Sequence, residues 1–173
     1  DRLYLNDGSG NFEAAAATAL PDLRDCGSCV VPADFDHDGD IDLFVGSRVV
    51  PGKYPTSPRS RLLLNESADG EGRFVDAPED RVPGLGQAGL VTGAVWADVD
   101  SNGWKDLVVA VEWGPVRIFA NKDGTLRETT SEAGLGGRHG WWNGIAGADI
   151  DADGDMDFAV ANFGLNTKYH ASR

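Results

Sequence analysis

One acidic nine-residue pattern occurs three times in this chain. The copies span residues 34–42, 98–106 and 149–157, and all fit D-x-D-x-[DN]-G-x-x-D. Oxygen-bearing side chains at alternate positions, around a glycine that permits a sharp turn, suit a hard divalent cation and above all calcium. Carboxylates packed this densely repel one another unless a cation neutralises them. The pattern therefore predicts up to three calcium sites, and it ties the fold to three copies of one local structure.

Each position of the pattern has a predicted role. Positions 1, 3, 5 and 9 provide side-chain oxygens, position 7 provides its backbone carbonyl, and the glycine at position 6 (Gly39, Gly103 or Gly154) permits the turn. The predicted metal ligands are Asp34, Asp36, Asp38, Asp40 and Asp42; Asp98, Asp100, Asn102, Trp104 and Asp106; and Asp149, Asp151, Asp153, Asp155 and Asp157. We expect loop 98–106 to be the weakest site, because Asn102 replaces an acid and Lys105 adds a positive charge.

The residues that flank the loops argue against an EF-hand. An EF-hand needs a bidentate Glu at position 12 and a helix on each side, whereas position 12 here is Val45, Val109 or Val160. The flanking runs, such as 107–111, are short, apolar and rich in β-branched residues, which favours buried strands. We therefore expect each loop to join the two strands of a β-hairpin.

Nearly half of the acidic residues lie in these loops. The 173 residues have a formal net charge of −13, and the loops hold 13 of the 28 acids. No nucleic-acid partner is expected, since it would need a basic stripe, and no apolar run is long enough to span a membrane. Calcium loops of this density work where calcium is about millimolar. We therefore expect an extracellular, periplasmic or cell-surface location.

The two cysteines, Cys26 and Cys29, form a lone C-x-x-C. They could close a small disulfide loop in an oxidising compartment, or they could remain two thiols. A redox pair would need a thioredoxin-like βαβ pattern around it, which the sequence lacks. A zinc site would need two further ligands at a matching spacing. The pattern leaves the disulfide and the free thiols both open.

A second repeated pattern alternates with the acidic loops. An R-L-x-L-N-like segment, a polar turn and a further apolar segment occur at residues 2–12, 61–74 and 117–126, which predicts β-hairpins. Two hairpins make a four-stranded unit, and the acidic loops begin 64 and then 51 residues apart. Short strands that repeat every fifty residues or so predict an all-β fold of β-propeller blades. A β-sandwich is the second choice, but sandwiches need no sequence repeat.

The hairpin order divides the chain into blades. Residues 28–77 and 91–130 are predicted to be complete blades around the first two acidic loops. Residues 1–27 are expected to be the second half of one blade, and residues 141–173 the first half of another, with the third loop. About three blades are too few to close a ring, since known propellers have at least about four. We expect residues 1–173 to be a fragment of a larger propeller, or a chain that assembles with another copy.

The alternating patterns resemble a known repeat. Strand, D-x-D-x-D-G-x-x-D, strand, then R-L-x-L-N and G-x-F is similar to the FG-GAP or VCBS repeat, the calcium-binding blade of integrin α-subunit propellers and of many secreted bacterial proteins. Segments 46–55, 112–113, 140–143 and 162–166 are similar to bacterial relatives of cartilage acidic protein, the ASPIC/UnbV-associated group. The resemblance covers nearly the whole chain, although no ASPIC/UnbV module is present, and it implies a calcium-binding propeller.

No catalytic residue is predicted. Neither Cys nor Ser occurs with a His and an acid in a nucleophile motif. The paired carboxylates belong to the acidic loops, so they do not also indicate a glycosidase. Among the histidines, His37 occupies a non-ligand position of the first loop and is expected to face solvent.

The predicted ligand surface is aromatic. Tyr54, His139, Trp141 and Trp142 combine rings with polar groups, which suits sugar rings or protein hot spots; the alternative is that the Trp residues fill the wedge between blades. The sequence favours a non-catalytic, calcium-stabilised extracellular module that binds a protein or a glycan. The other candidates are the lectin-like, carbohydrate-binding part of a polysaccharide-degrading system and, with less support, a polysaccharide lyase.

Overall fold

The computed structural model describes residues 1–68 and 72–164, and the described residues form short antiparallel strands and one 3-10 helix, Leu85–Gln87. The strands are β1 Tyr4–Asn6, β2 Phe12–Ala14, β3 Cys26–Ala33, β4 Asp42–Val49, β5 Arg61–Asn65, β6 Phe74–Asp76, β7 Leu90–Ala97, β8 Asp106–Glu112, β9 Gly114–Pro115, β10 Arg117–Lys122, β11 Thr125–Glu128, β12 His139–Gly140, β13 Trp142–Ala148 and β14 Asp157–Asn162.

The strands form blades of the predicted kind. One four-stranded sheet has the order β3-β4-β5-β6, and a second has the order β7-β8-β10-β11. β1–β2 and β13–β14 are two-stranded hairpins, and β9 pairs with β12 in a small ribbon between the second sheet and β13. The all-β fold with four-stranded propeller blades is therefore confirmed, and each acidic loop joins two antiparallel strands as expected.

Part of the sequence prediction falls outside the described residues. Residues 69–71, which are predicted to form part of a turn, and residues 165–173, with the end of the 162–166 motif, are not described. The assignment of residues 1–27 and 141–173 to half blades stays a prediction, as do the boundaries 28–77 and 91–130. Within the described ranges, no helix is long and apolar enough to cross a membrane.

Three apolar clusters pack the sheets against one another. The largest lies between the two four-stranded sheets and includes Phe35, Phe44 and Phe119, all 0% exposed. A second joins the N-terminal segment to the first sheet through Leu3 and Leu63, and a third packs β13–β14 against the second sheet. Burial of apolar surface between consecutive blades is the main favourable term in such a fold. These clusters fix the relative positions of the loops that the blades carry.

Alternation of strand direction sorts the connections to two ends of the blades. The acidic loops and the β5–β6 and β10–β11 turns lie at one end, which we call the loop end. The β4–β5 connection (50–60), the β8–β10 connection (113–116) and the segment before β13 (129–141) lie at the opposite, connecting end. Candidate metal ligands and candidate ligand-binding residues are thereby separated.

Candidate functional site

Three carboxylates converge in each acidic loop. In every case they come from positions 1, 3 and 9 of the pattern, and one oxygen of each lies within 4.8 Å of the others. The clusters are Asp34, Asp36 and Asp42; Asp98, Asp100 and Asp106; and Asp149, Asp151 and Asp157. Convergent carboxylate oxygens on a tight turn are the donor set that calcium takes in proteins.

Hydrogen bonds from the backbone hold the carboxylate at position 9 in place without a metal ion. Asp42 is 1% exposed; its Oδ2 accepts the Phe35 N–H at 3.0 Å and its Oδ1 accepts the Asn65 N–H at 2.8 Å. Position 9 is the first residue of β4, so the sheet itself delivers this side chain to the turn. One carboxylate thus links the acidic loop to the third strand of its own blade.

The second loop repeats this arrangement. Asp106 is fully buried, and its oxygens accept the Val99 N–H at 2.7 Å and the Asn121 N–H at 2.6 Å. In the third loop, Asp157 accepts the Ile150 N–H at 3.0 Å. The asparagine that ends the R-L-x-L-N pattern therefore has a role that sequence reasoning missed: its backbone binds the loop of the preceding hairpin.

Burial places an electrostatic cost on these anchors. Desolvation raises the pKa of Asp42, and the neighbouring Asp36 and Asp38 carboxylates raise it further, against the two backbone hydrogen bonds. Desolvation and the charges of Asp100 and Asp98 raise the pKa of Asp106 in the same way. A cation in the cluster opposes both causes, since it favours the charged form of each carboxyl.

The first loop contains buried oxygens that fit a cation. Asp34 Oδ1 and Asp36 Oδ1 are buried and have no hydrogen-bond partner among the described residues. Such atoms normally find a partner, because an unsatisfied buried polar atom costs free energy. The two atoms belong to the same three-carboxylate cluster as Asp42. The residues present therefore fit a hard divalent cation at this loop.

The other predicted ligand positions are arranged differently. At position 5 the side-chain oxygen accepts the N–H of position 7, as in Asn102 Oδ1 with Trp104 N at 2.7 Å, with equivalent bonds at Asp38 and Asp153. Position 5 thus stabilises the turn and is not part of the three-carboxylate clusters. The position 5 side chains and the position 7 carbonyls of Asp40, Trp104 and Asp155 stay predicted ligands, and loop 98–106 stays the predicted weakest site.

The loop backbone is left-handed at two positions. The glycines at position 6 have φ of 92°, 89° and 98°, which confirms the predicted reason for glycine there. Position 4 is also left-handed, at His37, Ser101 and Ala152, with φ of 60°, 57° and 62°. No glycine marks this second position, so its conformation could not be predicted from the sequence. Few side chains adopt this conformation without strain, so the surrounding hydrogen bonds hold it.

The first and second loops touch through a pair of rings. His37 is exposed, as expected, and its ring also stacks on Trp104 at 4.0 Å between centroids and 9° between planes. Asn121 Nδ2 also donates to the Phe35 carbonyl at 2.9 Å. The packing of adjacent blades places position 4 of one loop against position 7 of the next. This contact cannot be predicted from the sequence of a single loop.

Arg81 also bridges the first loop and the second sheet. Its Nη1 donates to Asp36 Oδ2 at 3.1 Å, its Nε donates to the Gly124 carbonyl at 2.8 Å, and its guanidinium lies over the Phe35 ring. A Cβ at Gly124 would clash with the Arg81 guanidinium, so a larger residue there would displace this side chain. A cluster ligand is therefore held by the neighbouring blade.

The His37–Trp104 stack should measurably couple the two loops. Truncating either residue to Ala removes the same ring contact, so the double variant should lose less stability than the sum of the singles. Aromatic pairs of this geometry contribute about 1 kcal/mol beyond burial. A double-mutant cycle in urea, on His37→Ala, Trp104→Ala and the double variant, measures this coupling free energy. Additive losses would mean that the rings contribute independently.

Only some of the residues predicted to form the ligand surface lie together in the structure. Tyr54 and Trp113 are 53% and 49% exposed, and Trp113 Nε1 donates to the Tyr54 hydroxyl. Trp141 lies against Trp113 at 4.6 Å and against Phe163 at 4.8 Å between ring centroids. We call these four residues the aromatic surface. Sequence reasoning missed Trp113 and Phe163 as members, because they follow β8 and β14 and meet only when the sheets pack.

Two of the predicted residues lie beside this surface. His139 is exposed, pairs with Pro115 in the β9–β12 ribbon and has its Nε2 3.0 Å from the Gly136 carbonyl. Trp142 packs in the third apolar cluster, and its Nε1 donates to the Gly114 carbonyl at 3.0 Å. Trp142 thus occupies the wedge between sheets, which was the alternative weighed for the Trp residues.

The cysteines are both free thiols in the structure. They lie at either side of an irregularity in β3, where its pairing with β4 shifts between Cys26 and Cys29. Burial raises the pKa of Cys29 above that of an ordinary thiol, which disfavours the reactive thiolate.

A comparison with protein families identifies the repeat. The sequence model of the FG-GAP-like repeat matches residues 1–45 and 98–160, more than half of the chain. These ranges include all three acidic loops in full. No curated protein matches the chain.

Proposed function

The chain belongs to the FG-GAP-like repeat family, and from this premise we propose that it is a non-catalytic, calcium-stabilised β-propeller module that binds a protein or a glycan. The three-carboxylate clusters carry the proposal, since the same positions converge in every loop. Positions 1, 3 and 9 would hold the ion, with position 5 adding a side-chain oxygen and position 7 its backbone carbonyl. A bound cation would neutralise the acids and fix each hairpin turn.

The calcium proposal is tested by calorimetric titration of the 173-residue chain. We expect up to three sites, with dissociation constants on the order of 10⁻⁴ M as in extracellular modules. Asp98→Ala should remove the weakest of them and leave the other two. The matched control is Asp123→Asn, an exposed acid at the same end but outside the pattern, whose left-handed backbone Asn also tolerates. Absence of calcium binding would refute the proposal, and loss of a strong site in Asp98→Ala would refute the ranking.

The location and partners follow from the same proposal. Sites of this affinity fill outside the cytosol, so we propose an extracellular, periplasmic or cell-surface protein. Further propeller blades or another copy of the chain would cover the β1–β2 face, where Tyr4 and Phe12 are 53% and 64% exposed. We also propose that the chain is related to bacterial relatives of cartilage acidic protein and to integrin blades. This part of the proposal rests on the sequence motifs alone.

A lectin-like role within a polysaccharide-degrading system is the second candidate. The aromatic surface favours it, because three of its four rings, those of Tyr54, Trp113 and Phe163, are exposed at the end opposite the acidic loops. The calcium-bound scaffold is common to both candidates. Binding of glycans, compared with binding of unglycosylated proteins, separates them.

A further inference from the structure

We propose that the connecting end binds an acidic glycan, with sugar rings on the aromatic surface and sugar carboxylates on the basic residues around it. This inference rests on the proposed function and names the ligand class for it. Its centre is the open cleft between the β4–β5 connection and the end of β8. The cleft has a volume of about 420 Å³ and is lined by Tyr54, Leu90, Glu112 and Trp113, within the range of about 300–1,000 Å³ usual for ligand sites.

The backbone of Trp113 is the first observation. Its φ is 59°, which is left-handed and unusual for a bulky residue, yet its ring is 49% exposed. Strained positions of this kind persist only where the surrounding structure fixes them, and they concentrate at ligand sites. The strained conformation leaves the indole partly in solvent, where burial in the core would have been more favourable.

A buried polar network holds the rings in place. The Glu112 side chain is 3% exposed; its Oε1 accepts Arg48 Nε at 2.8 Å, and its Oε2 accepts the Tyr54 hydroxyl at 3.2 Å. The Tyr54 hydroxyl in turn accepts Trp113 Nε1. The polar edges of both rings are engaged by the protein and Trp141 lies against Trp113, so a ligand meets the parts of the two rings that remain exposed. Preorganised aromatic faces suit the flat apolar sides of sugar rings.

The charged residues around the cleft indicate the charge of the ligand. The protein has a formal net charge of −13, but segments 50–60, 113–116 and 129–141 contain one acid, Glu132, which is paired with Arg127. They carry Lys53 and Arg138, together with His139 and with Arg59, which lies 3.9 Å from Glu79. Glu112 is already paired with Arg48, so the cleft offers no carboxylate for a cation. Locally basic surface on an acidic protein favours an anionic partner, and guanidinium groups pair well with carboxylates.

The test compares two probes that differ only in charge. A tetramer of galacturonic acid and the same tetramer with every carboxyl methyl-esterified are titrated calorimetrically into the chain at about 1 mM calcium. We expect the acid to bind about tenfold more tightly than the ester. The double variant Lys53→Gln, Arg138→Gln should abolish that preference. Trp113→Ala should weaken the binding of the acid tetramer by about tenfold or more. Phe12→Ala is the matched control, because its ring is exposed and lies outside both the cleft and the acidic loops, and it should bind normally.

Tyr54→Phe is a second variant, which is needed because Trp113→Ala would also lose binding if it simply failed to fold. It keeps the ring but removes the hydroxyl that joins Trp113 to Glu112, and it should weaken binding while leaving the melting temperature in calcium within a few degrees of the parent. Equal affinity for the two tetramers, or full affinity in Trp113→Ala, would overturn the proposal. If neither tetramer binds while calcium binds normally, the acidic-glycan proposal would be overturned and the proposal of a calcium-stabilised scaffold would stand. Binding of an unglycosylated protein at Trp113, without a glycan response, would overturn it as well.

Discussion

In about 10 mM calcium, the chain is expected to melt roughly 10–20 °C higher than in excess EGTA. A ligand that binds only the folded state stabilises it by about 2.7 kcal/mol per site at a hundred times its dissociation constant. Two sites with constants near 10⁻⁴ M therefore contribute about 5 kcal/mol, and each kcal/mol raises the melting temperature of a chain this size by about 2–4 °C. Differential scanning calorimetry in the two buffers measures the shift.

Magnesium is the control for this experiment. It requires a smaller, near-octahedral shell and dehydrates reluctantly, so magnesium at the same concentration should restore only a small part of the melting temperature. A melt that is the same in calcium and in EGTA would mean that the carboxylates of Asp34, Asp36 and Asp42 are stabilised without a cation.

The second large effect is expected from Asp42→Ala. Its carboxylate accepts the N–H groups of Phe35 and Asn65, and a buried donor left without an acceptor costs about 1–3 kcal/mol. We expect a loss of about 3–5 kcal/mol in the free energy of unfolding, with a further loss in calcium as the site disappears. Urea unfolding in EGTA and in calcium separates the two contributions.

Asp40→Ala is the matched control within the same loop. Asp40 lies two residues away, its side chain is exposed, and its predicted contribution to the metal is the backbone carbonyl. The substitution should change the free energy of unfolding by less than about 0.5 kcal/mol. If Asp40→Ala proved as costly as Asp42→Ala, the loop would respond to lost negative charge in general and the anchoring role of position 9 would be wrong.

The parts of the fold that depend on local pattern could be predicted from sequence. Alternating Asp residues around Gly39 predicted the turn, and β-branched flanks such as 107–111 predicted hairpin strands rather than EF-hand helices. Both signals arise within a few residues, so one copy of the repeat contains them. Convergence at positions 1, 3 and 9 follows from the same turn.

The contacts between blades could not be predicted in this way. Asn121 reaches the Phe35 carbonyl across 86 residues of sequence, and Trp104 meets His37 across the same interface. Trp113 joins Tyr54 at the other end. Each contact depends on the angle and offset at which two sheets pack, which are determined by all the apolar side chains between them. No motif in a single repeat records that geometry.

The anchoring of position 9 determines where such a chain can be cut and rejoined. A chimaera with its junction between β4 and β5 would take Asp42 from one parent and its Asn65 donor from another. A junction in the segment 77–89 would keep that pair together but would separate Arg81 from one of its two blades. The exchangeable unit is therefore longer than the repeated motif, and recombination that transfers an acidic hairpin alone would deliver a loop without its support.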